Sequence, residues 1–352
     1  MTSYALNDQA ALRRPTPNES RSSEAVLTTS RSPRTVNQKT LKTSIGCTGI
    51  GLHSGARVSM TIHPASPGAG IVFRRTDLRG AAALVPATWQ NVIDTQLCTA
   101  IGNGQGARIG TIEHLMAALY GCEIDNALID IDGPEVPVMD GSAAPFVFLI
   151  ECAGSVDQAA VRRGIEVRRE ISVVEDDCRM TLAPPARGGG LALDFEIDFG
   201  TTAVSRQTCQ LAVAPEVFKS NLARARTFGF AHDIDRLQAA GLARGGSLEN
   251  AIVISGDRIL NDDGLRFEDE FVRHKMLDCV GDLYLAGAPV LGRVIASRSG
   301  HRHNNRLLHA LFATPDAFRY VELVESSADQ AAWRIPAIRQ ADAGRLGVGA
   351  AD

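Results

Sequence analysis

Phe271-Val272-Arg273-His274-Lys275-Met276-Leu277-Asp278 forms the middle of a helical stretch that runs from Glu268 to Leu285. At 3.6 residues per turn, His274, Lys275, Asp278 and Asp282 fall within about a third of the circumference. Val272, Met276, Leu277, Val280, Leu283 and Tyr284 take the opposite side. His274 and Asp278, four residues apart, stand one above the other. An imidazole and a carboxylate so placed can hold a metal ion from one side and leave its other side open. The same spacing also describes an amphipathic surface helix with a solvated polar stripe.

A second segment, Thr111-Ile112-Glu113-His114-Leu115, supplies another histidine directly after a carboxylate. Three N/O donors with a free position is the arrangement of a catalytic zinc rather than a structural one, and it suggests hydrolysis by a metal-bound water. Each segment also has a plainer reading. Glutamate in a first turn complements the helix dipole, and a histidine there commonly packs rather than ligates.

Around these two helices the chain mixes strands and helices in both halves. Thr111 is placed to cap a helix to about Tyr120, stopped by Gly121. Val58-Ser59-Met60-Thr61-Ile62 alternates like a half-buried strand. A turn at 68–70 leads into a strand at Ile71-Val72-Phe73, and Ala127–Ile131 reads as another strand. Ser142 opens a second helix, with Pro145 in its first turn. Residues 155–164 read as a linker. Beyond it, strands are expected at Ile165–Val167, Ile171–Val174, Leu191–Phe199 and Ala251–Ile254. Helices are expected at Pro215–Ala225, Asp233–Ala240 and Asn304–Phe312. This order points to α+β architecture, two layered domains over 38–160 and 161–325, rather than one alternating sheet. Residues 1–37, rich in Ser, Thr, Arg, Asn and Pro, read as a disordered extension, and 326–352 as a polar tail.

A net charge of −4 over 352 residues gives no reason to expect a nucleic-acid partner. The seven cysteines contain no CxxC pair and are odd in number, which favours free thiols in a reducing compartment. There is no apolar leader, and the apolar run from Leu283 to Gly292 is too short to span a bilayer. A cytoplasmic protein without stable membrane insertion is expected.

Ser299-Gly300-His301-Arg302-His303 reads as a polar loop before a helix, a setting where catalytic groups concentrate. Arg224-Ala225-Arg226-Thr227-Phe228-Gly229-Phe230 places a hydroxyl between basic and aromatic residues; it can bind an oxyanion or simply end a helix. Gly102-Asn103-Gly104 lacks the pattern of a nucleotide cradle. His53, His63, His232, His303 and His309 have no companion that fixes a role and are read as structural.

At these motifs the chain resembles the UDP-3-O-acyl-N-acetylglucosamine deacetylases, zinc amidases of lipid A synthesis in Gram-negative bacteria. The matching segments include Thr48–Gly55, Phe73–Leu78, Thr111–Leu115, Asp125-Asn126, Pro134–Phe146, Ala225–Phe230, Leu260–Leu283 and Ser299–His301, across residues 38–325. The resemblance implies two α+β sandwiches with the site at their junction. It implies a zinc ion, with ferrous iron as the alternative, on His114, His274 and Asp278. Glu113 matches the general base and His301 the cationic acid. Lys275 and Asp282 flank the site, Asp282 orienting His301, and Thr227 matches the hydroxyl beside the developing oxyanion. Phe228, Ile234, Leu237, Leu242 and Leu248 match the acyl-chain tunnel, Asp198 and Phe199 the uridine contacts, and Cys98 a cysteine near the metal. The implied substrate is UDP-3-O-acyl-N-acetylglucosamine; a monomer is expected. A deacetylase of another sugar amide and a non-catalytic metal- or lipid-binding module are the competing readings; the second has no use for Glu113 and His301 beside the donors.

Overall fold

The alternation at Val58, Met60 and Ile62 puts all three side chains in the core, with the residues between them facing outward. The computed structural model describes residues 35–186, 189–200 and 203–324. In the first half, five strands lie in the order Ile45–Ile50, Arg57–Pro64, Ala127–Ile131, Ile71–Arg75, Leu84–Pro86, with the third and fourth parallel and the other neighbours antiparallel. Helices α1 (Glu113–Gly121) and α2 (Ala144–Ala153) belong to this half; α2 carries Pro145 in its first turn and buries Phe146, Val147 and Ile150.

The second half is organised around Val290–Ser297. That strand pairs parallel with Arg163–Val167 and with Leu191–Ile197, and antiparallel with Cys178–Ala183. Ile171–Glu175, Gln207–Ala212 and Phe318–Glu322 complete a seven-stranded sheet. Helices α3 (Pro215–Asn221), α4 (Ala231–Ala239), α5 (Glu270–Tyr284) and α6 (His301–Ala313) follow in chain order. α6 buries Leu307, Leu308 and Leu311 on its apolar stripe, as 3.6 periodicity requires. A small sheet of Phe228–Phe230, Ile252–Ser255 and Arg258–Ile259 stands beside α4. The fold is α+β in two sheet-rich halves.

Four local expectations need correction. Residues 155–164 are not a linker: Ser155–Val161 pairs antiparallel with Asn37–Leu41, and Arg163–Val167 enters the large sheet. The partner of this exposed polar edge strand lies more than a hundred residues away, so no local pattern announces it. Arg162 between the two strands sends its guanidinium to Asp125 and Glu123. The polar segment before α6 is shorter than expected, because the helix already begins at His301. α3 stops at Asn221: residues 222–224 turn, with the Ala225 N–H closing onto Leu222 O, and the chain then leaves as Arg226 N–H bonds to Glu270 and Thr227 N–H to Gly141 O. Thr111 does not cap α1; it sits at φ 55° and gives its hydroxyl to Glu135 Oε1 at 2.8 Å. A β-branched residue at positive φ is costly, and this buried hydrogen bond helps to hold it.

The expected extension over 1–37 and tail over 326–352 lie almost wholly outside the described residues. Where description begins, Thr35 already bridges Val324 and Val36 donates to Leu323 O. Among the described residues no helix is long and apolar enough to cross a membrane.

Candidate active site

α1 and α5 cross in close contact because Gly281 offers no side chain there. A Cβ at that position would stand 2.0 Å from the carbonyl oxygen of Glu113. The crossing brings His114 of α1 against His274 and Asp278 of α5. His114 Nε2 lies 3.5 Å from Asp278 Oδ1, and His274 Nε2 lies 3.4 Å from the same oxygen. One donor atom from each of the three residues falls within 4.8 Å of the others. The polar stripe of α5 is therefore not a solvated face: His274, Asp278 and Asp282 are all buried.

The donor set fits a cation on its own chemistry. Among the described residues Asp278 Oδ1, which is buried, meets no hydrogen-bond donor, an arrangement that costs free energy unless something else occupies it. Burial drops the pKa of His274 to about 3, so its imidazole is neutral. Its Nδ1 faces the carbonyl oxygen of Ala225 at 3.1 Å, which can only accept; the proton is on Nδ1 and Nε2 presents its lone pair to the cluster. Burial opposes charge on Asp278, but the neighbouring cations Lys275 and His301 hold its carboxyl well below the usual range. Lys275 donates to Asp278 Oδ2 at 3.1 Å.

Beside the donors stand two buried titratable groups, a carboxylate and an imidazole. Glu113, buried in the first turn of α1, has its carboxyl raised above the ordinary value, mainly by burial, with His301 and His114 pulling the other way. Its Oε2 accepts from the Thr99 amide at 2.9 Å. His301 opens α6 and is pushed up to about 9: burial works against its charge, but Asp282, Asp278 and Glu113 outweigh it. Asp282 Oδ2 receives His301 Nδ1 at 2.9 Å and the Asn304 amide at 2.8 Å, while Oδ1 receives the Thr99 hydroxyl at 2.6 Å. Asp282 thus stands behind His301 and leaves Nε2 turned toward the donor cluster, 3.9 Å from Asp278 Oδ2.

His114, His274, Asp278, Glu113 and His301 line a cavity of ≈ 710 Å³, together with Lys275 and Thr227. Thr227 is fixed by backbone bonds to Gly141 and Ile252 at 2.8 Å. Gly141 has φ 83°, and a Cβ there would strike Asn250 O at 2.1 Å. The rest of the wall is largely apolar. Phe228, Ile234, Leu237, Leu248 and Phe199 all line it, as does Asp198, whose carboxylate takes Arg298 at 2.8 Å. The Phe228 ring meets Phe199 at 5.7 Å and His274 at 6.2 Å, joining the apolar wall to the donor cluster. Leu242 does not reach the lining. Neither does Cys98, a buried thiol that burial, aided by Glu113, pushes up to about 12, so it is protonated.

One histidine that the sequence presents as merely structural is His53. It lines the cavity, and its Nε2 is buried with no hydrogen-bond partner among the described residues. Glu135 accepts from the His53 and Ser54 amides at 2.8 Å and so fixes the turn that carries it. The available signal was the run of glycines around it, Gly51 and Gly55, the latter at φ 67°.

The family model for UDP-3-O-acyl N-acetylglycosamine deacetylase matches residues 38–313. A UDP-3-O-acyl-N-acetylglucosamine deacetylase of Haemophilus influenzae (strain 86-028NP) is 49% identical over 288 residues, 81% of this chain and 93% of the relative. Proteins of the same name from Phenylobacterium zucineum (strain HLK1) and Myxococcus xanthus (strain DK1622) are each 47% identical. They cover 83% and 82% of this chain, and 99% and 90% of their own lengths. Fold, site and relatives together class the protein as a hydrolase that acts on an amide. The chain belongs to the UDP-3-O-acyl-N-acetylglucosamine deacetylase family.

Proposed function

We propose that the protein removes the N-acetyl group of UDP-3-O-acyl-N-acetylglucosamine, releasing acetate and the free amine, in lipid A biosynthesis. The observation that carries this reading is the buried His114–His274–Asp278 set, lining a largely apolar cavity together with Glu113 and His301. His114, His274 and Asp278 would hold a divalent cation, with zinc the first choice and ferrous iron the second. Such a cation supplies Lewis acidity, lowering the pKa of a bound water and polarising the amide carbonyl.

The chain's own groups do the rest. Glu113, ionised in the active form, takes the proton of the attacking water as general base. His301, cationic and kept so by Asp282, faces the developing oxyanion and gives a proton to the leaving nitrogen, without which an amide cannot expel its amine. The Thr227 hydroxyl assists at the oxyanion, and Lys275 holds Asp278 in place. Phe228, Ile234, Leu237 and Leu248 accept the acyl chain, and Asp198 with Phe199 contacts the uridine. We further propose that residues 38–160 and 161–325 act as two α+β domains with the site between them. The working form is a monomer in the cytoplasm; free thiols at all seven cysteines are compatible with that compartment.

Acetate release from this substrate, measured before and after chelation and re-addition of zinc, tests the reading. Turnover that is lost on chelation and restored by metal supports it. Turnover that survives complete metal removal refutes it. The same assay with an acetylated sugar lacking the acyl chain separates it from a general sugar-amide deacetylase.

A further inference from the structure

Glu270 opens α5 one turn before His274, and an acid at that position ordinarily does no more than complement the helix dipole. Here the side chain does something else. It is completely buried and turned onto the segment before Thr227. Its Oε1 accepts from the backbone N–H of Arg226 at 3.0 Å and from Arg226 Nε at 2.9 Å. Its Oε2 accepts from the Arg266 amide at 2.6 Å and from Arg226 Nη2 at 3.3 Å.

The Arg226 N–H and the Ala225 carbonyl belong to a single planar trans peptide and point in opposite directions. That carbonyl is the group that receives His274 Nδ1 at 3.1 Å. One peptide plane is therefore gripped from both ends by two side chains of the same helix, a carboxylate at its N–H and an imidazole at its carbonyl. A negatively charged acceptor on an amide N–H polarises the amide and makes its carbonyl a stronger acceptor.

We infer that Glu270 is a positioning residue that acts through the Ala225–Arg226 peptide to fix the tautomer and ring orientation of His274. The arrangement is a carboxylate–histidine relay with a peptide group inserted between its members. It does for His274 what a directly bonded carboxylate does for other metal-binding histidines. The inference rests on the reading of His274 as a cation donor, and Glu270 itself touches neither cation nor substrate.

The test is a zinc titration of the full-length metal-free protein against a competing chelator, with thermal midpoints recorded in parallel. Glu270→Gln keeps the shape but removes the charge and places an NH2 where Arg226 and Arg266 also donate. Its zinc affinity should fall about 10- to 100-fold. Asp263→Asn removes the outer partner of Arg226, at 3.2 Å, without touching the peptide, and should leave zinc affinity unchanged. Wild-type affinity in Glu270→Gln, or an equal loss in Asp263→Asn, overturns the inference. If His274→Ala also binds zinc normally, the donor reading itself has failed instead. Should Glu270→Gln not fold, nitrogen NMR of the histidine-labelled wild-type holoprotein decides the matter. A proton on Nδ1 of His274 is expected, and a proton on Nε2 refutes the relay.

Discussion

Asp282 Oδ2 sits 2.9 Å from His301 Nδ1 and is the strongest reason why an imidazole buried at a helix N-terminus stays charged. The helix dipole disfavours a cation there, and burial disfavours it further. With the carboxylate present, His301 is pushed up to about 9, so its cationic form persists through neutral pH and the basic limb expected of the proposed acid should lie near that value. Asp282→Asn should let burial dominate and bring the basic limb of the kcat/KM profile down toward neutrality. A basic limb that stays where it is would show that His301 is not the group that sets it.

Donors and proton carriers should separate on metal analysis. His274→Ala or Asp278→Ala should lower zinc content, because each removes one of three protein donors. Glu113→Ala and His301→Ala should keep the metal and lose at least about 10²-fold in kcat. Burial raises the Glu113 carboxyl, so if its ionised form is the proposed base, activity should climb with pH through a limb above the ordinary carboxylate range. That limb should vanish in Glu113→Ala. Zinc loss in His301→Ala, or full activity in Glu113→Ala, contradicts the assignment.

The apolar wall predicts that the acyl chain drives catalysis from a distance. Each methylene buried against Phe228, Ile234, Leu237 and Leu248 contributes up to about 0.8 kcal/mol, and such remote binding energy is used at the reacting centre. A substrate without the chain should lose several orders of magnitude in kcat/KM. Equal rates with both substrates would remove the acyl role from these residues.

Gly281→Ala should open the crossing of the two helices. The added methyl would lie 2.0 Å from Glu113 O, which is backbone and cannot step aside. Overpacking of this kind costs about 1–3 kcal/mol or more. Because the shift moves His114 away from Asp278, zinc affinity should fall along with the thermal midpoint. A variant as stable as wild type and with unchanged zinc affinity would mean that the helices are not in register as described.

Much of this was written in the sequence, and the rest was hidden for identifiable reasons. His274 and Asp278 stand four apart on a strongly periodic helix, so their shared face was readable; that the face is buried was not, since α1 covers it from 160 residues away. The motifs around Glu113, Thr227 and His301 mark the cavity, yet the polar, glycine-containing run at Ser299–His303 suggests a loop where α6 already begins at His301. The strand at Ser155–Val161 escaped notice because its pairing is entirely non-local and its residues are polar. His53 and Glu270 escaped for a different reason. A lone histidine in a glycine-rich turn has no period, and an acid in a first turn already has a sufficient local explanation.

The crossing of α1 and α5 has a thermodynamic consequence. His114 and His274 lie far apart in the chain, so an unfolded chain cannot offer the three donors together, and a cation that binds them binds only the folded form. Free metal then becomes a variable of stability: at a hundred times its dissociation constant it adds about 2.7 kcal/mol to unfolding. The thermal midpoint should climb with the logarithm of free zinc, and a cell short of the metal would hold a looser protein as well as a less active one.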